Sequence, residues 1–263
     1  METQPIGSNT LSKVPQVTLA FWVVKVLATT LGETGGDAVT MSWLGETTSE
    51  ANGTGYLIGT AIFGVIFIAA VLVQIGARKF HPFLYWLTIV ATTTVGTTLA
   101  DYCTRSLGIG YTGGSTILLI LVMASLLIWR WSTGSISVET VNTPKIEVFY
   151  WLTIMFSQTL GTALGDWVAD TNEMGYLGAA AVFGGLLLLT ALLYYFTSLS
   201  RAVLFWTAFI LTRPLGAVVG DFLDKPLAQG GLALSRYTAS LALLVIIIAL
   251  ILIFPPKPAT KAH

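Results

Sequence analysis

Gly161-Thr162-Ala163-Leu164-Gly165-Asp166 is written four times in this chain. The other versions are Gly32-Glu33-Thr34-Gly35-Gly36-Asp37, Gly96-Thr97-Thr98-Leu99-Ala100-Asp101 and Gly216-Ala217-Val218-Val219-Gly220-Asp221. Each is a pair of small residues four apart, followed at once by an aspartate. Fifteen residues before each aspartate stands a tryptophan: Trp22, Trp86, Trp151 and Trp206. The second and third copies also share Tyr-Trp-Leu-Thr-Ile, at Tyr85 to Ile89 and Tyr150 to Ile154. The aspartates lie 64, 65 and 55 residues apart. A fixed period of this length marks an internally repeated architecture.

Composition sets the class. Of 263 residues, 54% are hydrophobic and 10% charged, against about 25% charged in a soluble domain. The chain therefore reads as a membrane protein, and its 26 glycines suit close helix packing. A net charge of zero leaves no electrostatic footprint for nucleic acid. With Cys103 as its one cysteine, the chain has neither an internal disulfide nor a thiolate metal cluster. The polar start lacks a small-residue cleavage site, so the first apolar run reads as a retained helix.

A bilayer crossing needs roughly 20 apolar residues, and eight such runs occur in pairs. The first of each pair covers 14–36, 82–100, 146–165 and 200–220; the second covers 55–76, 110–131, 175–197 and 231–254. The expected fold is an all-α membrane protein of eight transmembrane helices, built from four parallel two-helix repeats in a single domain. The repeats span about 14–77, 80–131, 146–198 and 200–254. The first helices hold the polar residues and are expected to line the centre, leaving the second helices to face lipid. Lys13, Arg78, Lys79, Arg130, Lys145, Arg201, Lys257 and Lys261 fall on one side, and Arg105, Lys225 and Arg236 on the other. The positive-inside rule then puts both termini in the cytoplasm. Tryptophans in an interfacial belt would place the aspartates about 22 Å further across, in the outer third of the hydrocarbon. The link 130–145 divides the eight helices into two halves, and the tail from Pro255 reads as too short and polar to fold.

Acids inside a membrane are costly and usually functional. Asp37, Asp101, Asp166 and Asp221 at one level are expected to form a carboxylate ring that attracts a cation. Single aspartates of this kind are also read as helix-end caps bonded to loop amides. Lys25, Glu33 and Asp37 share one helix face; the matching faces carry Thr97 in the second copy, Gln158 and Thr162 in the third, and Arg213 in the fourth. Lys25 and Arg213 are expected to neutralise the acids. His81 and His263 lie far from the aspartates in the chain, so the ligand set is all oxygen and suits hard ions. The expected function is transport of a hard cation, divalent and with Mn²⁺ as a candidate, by proton-coupled exchange or a gated path. The alternative is a non-transporting scaffold or sensor packed through Gly-x-x-x-Gly faces. Gly-x-Ser-x-Gly and His-Glu-x-x-His are absent, so no enzyme is expected, and no cofactor beyond a bound divalent cation. The expected partners are the lipid bilayer and the transported cation, with no nucleic acid; a homo-oligomer is compatible with the glycine faces.

These motifs, Tyr-Trp-Leu-Thr-Ile and Gly-Thr-Ala-Leu-Gly-Asp on aspartate-ended helices, resemble a bacterial family of multi-pass inner-membrane proteins described only as uncharacterised and membrane-anchored. The resemblance covers nearly the whole chain and implies an inner-membrane location but no activity. Glu33-Thr34-Gly35-Gly36-Asp37 is also similar to the Glu-x-Gly-Asp repeats of calcium/manganese antiporters, with one residue more and Ala38 where those carry a base. That likeness implies acidic repeats binding hard cations.

Overall fold

The computed structural model describes residues 12–171 and 174–259. Lys261, His263 and the first eleven residues lie outside them. The described residues form eight long helices: α1 (Leu19–Asp37), α2 (Thr54–Gly76), α3 (Pro82–Asp101), α4 (Gly110–Thr133), α5 (Pro144–Thr171), α6 (Gly175–Phe196), α7 (Arg201–Asp224) and α8 (Arg236–Ile253). Local signals explain the starts. Thr18 accepts the Phe21 N–H at 3.2 Å, so α1 begins later than the apolar run suggests. Pro82 opens α3 at a position where no N–H is needed. The run expected from Gly231 opens as helix only at Arg236, because 225–234 folds back on α7: Leu232 and Leu234 donate to Phe222 and Leu223 carbonyls at 2.7 and 2.9 Å.

The odd-numbered helices close a ring, α1 against α3, α3 against α5, α5 against α7, and α7 back against α1. Each even-numbered helix packs on the first helix of the following repeat: α2 on α3, α4 on α5, α6 on α7, and α8 on α1. The repeats thus interlock cyclically, and the two halves expected on either side of 130–145 are one body. That link is itself part of the core, with Val138 and Val141 buried and the Trp206 indole donating to the Ile136 carbonyl at 3.0 Å.

Six helices, α2, α3, α4, α6, α7 and α8, are long and apolar enough to cross a membrane. The remaining two, α1 and α5, are long but more polar, and they form opposite corners of the ring. A helix screened from lipid by its neighbours has no need of an apolar surface all round. The even-numbered helices show the converse pattern, with exposed stripes such as Val65, Ile68, Leu72 on α2 and Leu241, Val245, Ile248 on α8.

Two sequence expectations are corrected at the end opposite the aspartates. Trp86, Trp151 and Trp206 are 2% exposed, so they are core residues and give no interfacial depth marker. With Phe21, Tyr85, Tyr150, Phe205 and Trp129 they form one aromatic cluster, its rings 5–6 Å apart. Tyr85 and Tyr150 share a hydroxyl–hydroxyl bond of 2.6 Å inside it. The tail is also folded as far as Ala259. Gln16 donates to the Lys257 carbonyl and Ala259 to that of Val14, both at 2.8 Å, which buries Val14 and Ala259.

Candidate functional site

The small pairs build the site by letting one ring helix approach the next. A Cβ at Gly161 would collide with the Arg213 side chain, and one at Gly165 would meet Ala217 at 3.2 Å. Gly216 and Gly220 receive Thr29 and Glu33, Gly32 and Gly36 receive Thr93 and Thr97, and Gly96 receives Gln158. Each repeat therefore offers its small residues to the side chains four and eight positions before the next repeat's aspartate. Close approach is bought with glycine, and what it admits is polar except at Ala217.

Those polar residues stack in layers along the ring. Asp37, Asp101, Asp166 and Asp221 form the outermost layer, 0–4% exposed. One turn inward lie Glu33, Thr97, Thr162 and Ala217; a second turn inward lie Thr29, Thr93, Gln158 and Arg213, all buried. Below them Lys25 stands level with Ile89, Ile154 and Phe209, and the aromatic cluster closes the bottom.

The aspartates converge. Carboxylate oxygens of Glu33, Asp166 and Asp221 lie within 4.8 Å of one another, as do those of Asp37, Asp221 and Asp224. Two cations stitch the layer. Arg105 pairs with Asp101 at 2.7 Å and reaches Asp166 at 3.4 Å. Lys225 contacts Asp37, pairs with Asp221 at 3.0 Å and approaches Asp224 at 3.8 Å. Arg236 holds Asp224 at 3.2 Å. The aspartates are not helix-end caps: their partners are side chains, α5 and α7 run on past Asp166 and Asp221, and α1 and α3 continue as wide π turns. Asp37 Oδ1, Asp101 Oδ2 and Asp166 Oδ1 remain buried with no hydrogen-bond donor among the described residues.

Arg213 marks the axis. Its Nη2 lies 2.8 Å from Glu33 Oε2, 2.6 Å from Thr97 Oγ1 and 2.5 Å from Thr162 Oγ1, so one nitrogen of α7 touches the other three ring helices. Lys25 departs from expectation: it meets no carboxylate among the described residues, and its Nζ lies 4.1 Å from the Phe209 ring centroid. Eight residues separate it from Glu33, about 12 Å along the helix, and Arg213 already occupies that acid. Gln158 is buried in the deeper layer, its amide unpartnered among the described residues.

Sequence reasoning passed over Arg105, Lys225, Asp224 and Arg236 as site residues. A signal for two of them was present, because Asp101 and Arg105, and Asp221 and Lys225, are spaced i,i+4 on one helix face. Beside the layer opens a cavity of about 290 Å³, lined by Arg105, Asp166, Asp170, Tyr176, Asp221 and Lys225 among others.

Fold and site together define a helical membrane protein of four interlocked repeats with a charged core. The chain belongs to the family defined by a repeat of unknown function (DUF347), whose copies match residues 20–80, 84–135, 149–200 and 204–254. No curated protein and no solved structure matches it significantly. The likeness to calcium/manganese antiporters gains no support from these comparisons.

Proposed function

We propose that the chain transports a hard cation, divalent with Mn²⁺ as the first candidate, which enters at the aspartate layer and is exchanged against protons. The observation that carries this reading is the convergence of Glu33, Asp166 and Asp221, buried, with oxygens within 4.8 Å of one another beside an open cavity. Six carboxylates (Glu33, Asp37, Asp101, Asp166, Asp221, Asp224) face four cationic groups (Arg105, Arg213, Lys225, Arg236), so the layer has negative charge to spare. An all-oxygen site of this kind suits Mg²⁺, Ca²⁺ or Mn²⁺ over softer metals. Arg213 on the axis is the inner gate in this reading. Pro214, next to it, donates no hydrogen bond to the preceding turn, so α7 can bend where the gate is attached. The basic residues gathered at the aromatic end support a cytoplasmic location for that end, and the membrane in this reading is the bacterial inner one.

The test is thermal stabilisation of purified protein by Mn²⁺, Mg²⁺ or Ca²⁺, followed by uptake into proteoliposomes. Asp166→Asn is the informative variant, because its ion pair is the longer of the two made by Arg105 and its loss should leave the fold intact. Cation stabilisation should fall at least about tenfold in apparent affinity, a difference of about 1.4 kcal/mol. One observation favours the alternative scaffold: Arg105 and Lys225 already bridge the aspartates in pairs. A flat response of the wild type to all three cations would decide for that static network.

A further inference from the structure

We infer that the buried, unpartnered donors between Arg213 and the aromatic floor bind a small monovalent anion of halide size. Five donor atoms at these levels lack acceptors among the described residues: Lys25 Nζ, Arg213 Nε and Nη1, Gln158 Nε2 and Thr93 Oγ1. All four side chains are fully buried, with 0% of their surface exposed. Buried polar groups in folded proteins are nearly always hydrogen-bonded, so this many open donors in adjoining layers needs a partner. Among these groups only the Gln158 carbonyl and the Thr93 hydroxyl can accept. Thr29, at the same level, is excluded because its hydroxyl is spent on the Val26 and Thr212 carbonyls at 2.8 and 3.1 Å.

Charge points to the sign of the ligand. Arg213 is cationic and Lys25 becomes so when an anion is bound beside it, while Glu33, on the far side of the Arg213 guanidinium, is the one carboxylate among the described residues paired with either. The Phe209 ring under Lys25 offers a cation–π contact, which is weaker than an ion pair in a dry interior. Enclosure suggests the size. Above, Arg213 is tied to three helices; below, Ile89, Ile154 and Phe209 are 0% exposed. A spherical anion can take donors from several directions at once, where a carboxylate or phosphate would need more room. This site is separate from the aspartate layer and stands whether or not that layer carries a cation.

The experiment replaces gluconate by chloride or bromide at constant ionic strength, with purified protein in an uncharged detergent. The melting temperature should rise with chloride and level off, as mass action at one site requires. Lys25→Met, which keeps length and apolar bulk, and Gln158→Leu should each weaken the apparent chloride affinity at least about tenfold. Lys25→Met in gluconate should melt no lower than the wild type, since it removes a buried cation left without its anion. Crystals grown in bromide should show an anomalous peak beside Lys25 Nζ and Arg213 Nε. If either variant fails to fold, the wild-type titration and the bromide map decide alone. Superimposable melting curves in chloride and gluconate, or a map with no bromide beside these donors, would overturn the inference in favour of water and a neutral lysine. Because the cation titrations can be run in gluconate, failure here is distinguishable from failure of the transport reading.

Discussion

At the scale of single residues, Arg213 has the most to lose. Replacing it by Gln leaves Glu33 buried without its counter-charge, a loss of about 3–5 kcal/mol for a buried pair. Adding Glu33→Gln should recover most of that, whereas adding Asp221→Asn should not; melting temperatures of the single and double variants measure the difference. Arg105→Gln should cost far less, because the Arg105 side chain is 36% exposed and solvent screens its pairs. The sequence made the four aspartates legible as a set, since repeat alignment puts them at equivalent positions, with Glu33 one turn and Arg213 two turns before its own repeat's aspartate. It did not reveal the pairing. Lys25 and Arg213 look alike as buried bases on a linear stripe, yet the ring brings one onto Glu33 and leaves the other against Phe209. Arg105 and Lys225 showed only their i,i+4 spacing to their own repeat's aspartate, because nothing in one repeat shows that its cation reaches the next repeat's aspartate.

At the scale of helices, the small pairs decide how near the ring members come. Gly161→Leu should destabilise the protein by roughly 1–3 kcal/mol through overpacking, and it should push Arg213 out of reach of Thr162. Gly185→Leu on α6 is the matched control: a Cβ there meets nothing within 4 Å, so the folded yield should be unchanged or higher. Equal losses from both substitutions, read as yield and melting temperature, would show that glycine count and not helix contact matters. Helix number and the inside–outside division between odd and even helices were legible, because a 3.6-residue period separates the polar faces from the apolar ones. Which helix packs on which was not, since an apolar helix carries no mark of its partner. The tryptophans misled for a related reason. A Trp sixteen or so residues from a polar helix end fits an interfacial belt or a core equally well by position, and only the ring shows that three of them point inward.

At the scale of the whole molecule, the end opposite the aspartates is held by the termini. Lys13 Nζ donates to the Gln74, Ile75 and Ala77 carbonyls at 2.8–3.0 Å and pairs with Glu147 at 2.6 Å, so one side chain caps α2 and clasps α5. Lys13→Met should therefore lower the melting temperature, with a destabilisation of about 3 kcal/mol if Glu147 is left buried and unpaired. Ending the chain after Phe254 should also destabilise it, by uncovering Val14. Reporter fusions after Lys79, Gly134 and Ser200 should face one side of the membrane, the cytoplasm by the charge bias, and those after Ser49 and Leu107 the other. A fusion after Glu173 lies outside the described residues.

The cyclic docking has a further consequence during synthesis. Helix α1, which leaves the ribosome ahead of the other described helices, rests against α7 and α8, which follow the rest of them. Until they arrive, Lys25 and Glu33 lack the guanidinium and ring that complete their surroundings, and the nascent chain must keep a charged segment in or beside the bilayer unassisted. We expect stalled chains truncated before Arg201 to cross-link to the insertion machinery through α1, and chains that extend beyond α8 to lose that cross-link. Release of the first segment would then time the completion of the last, making closure of the circle a late and global event in assembly.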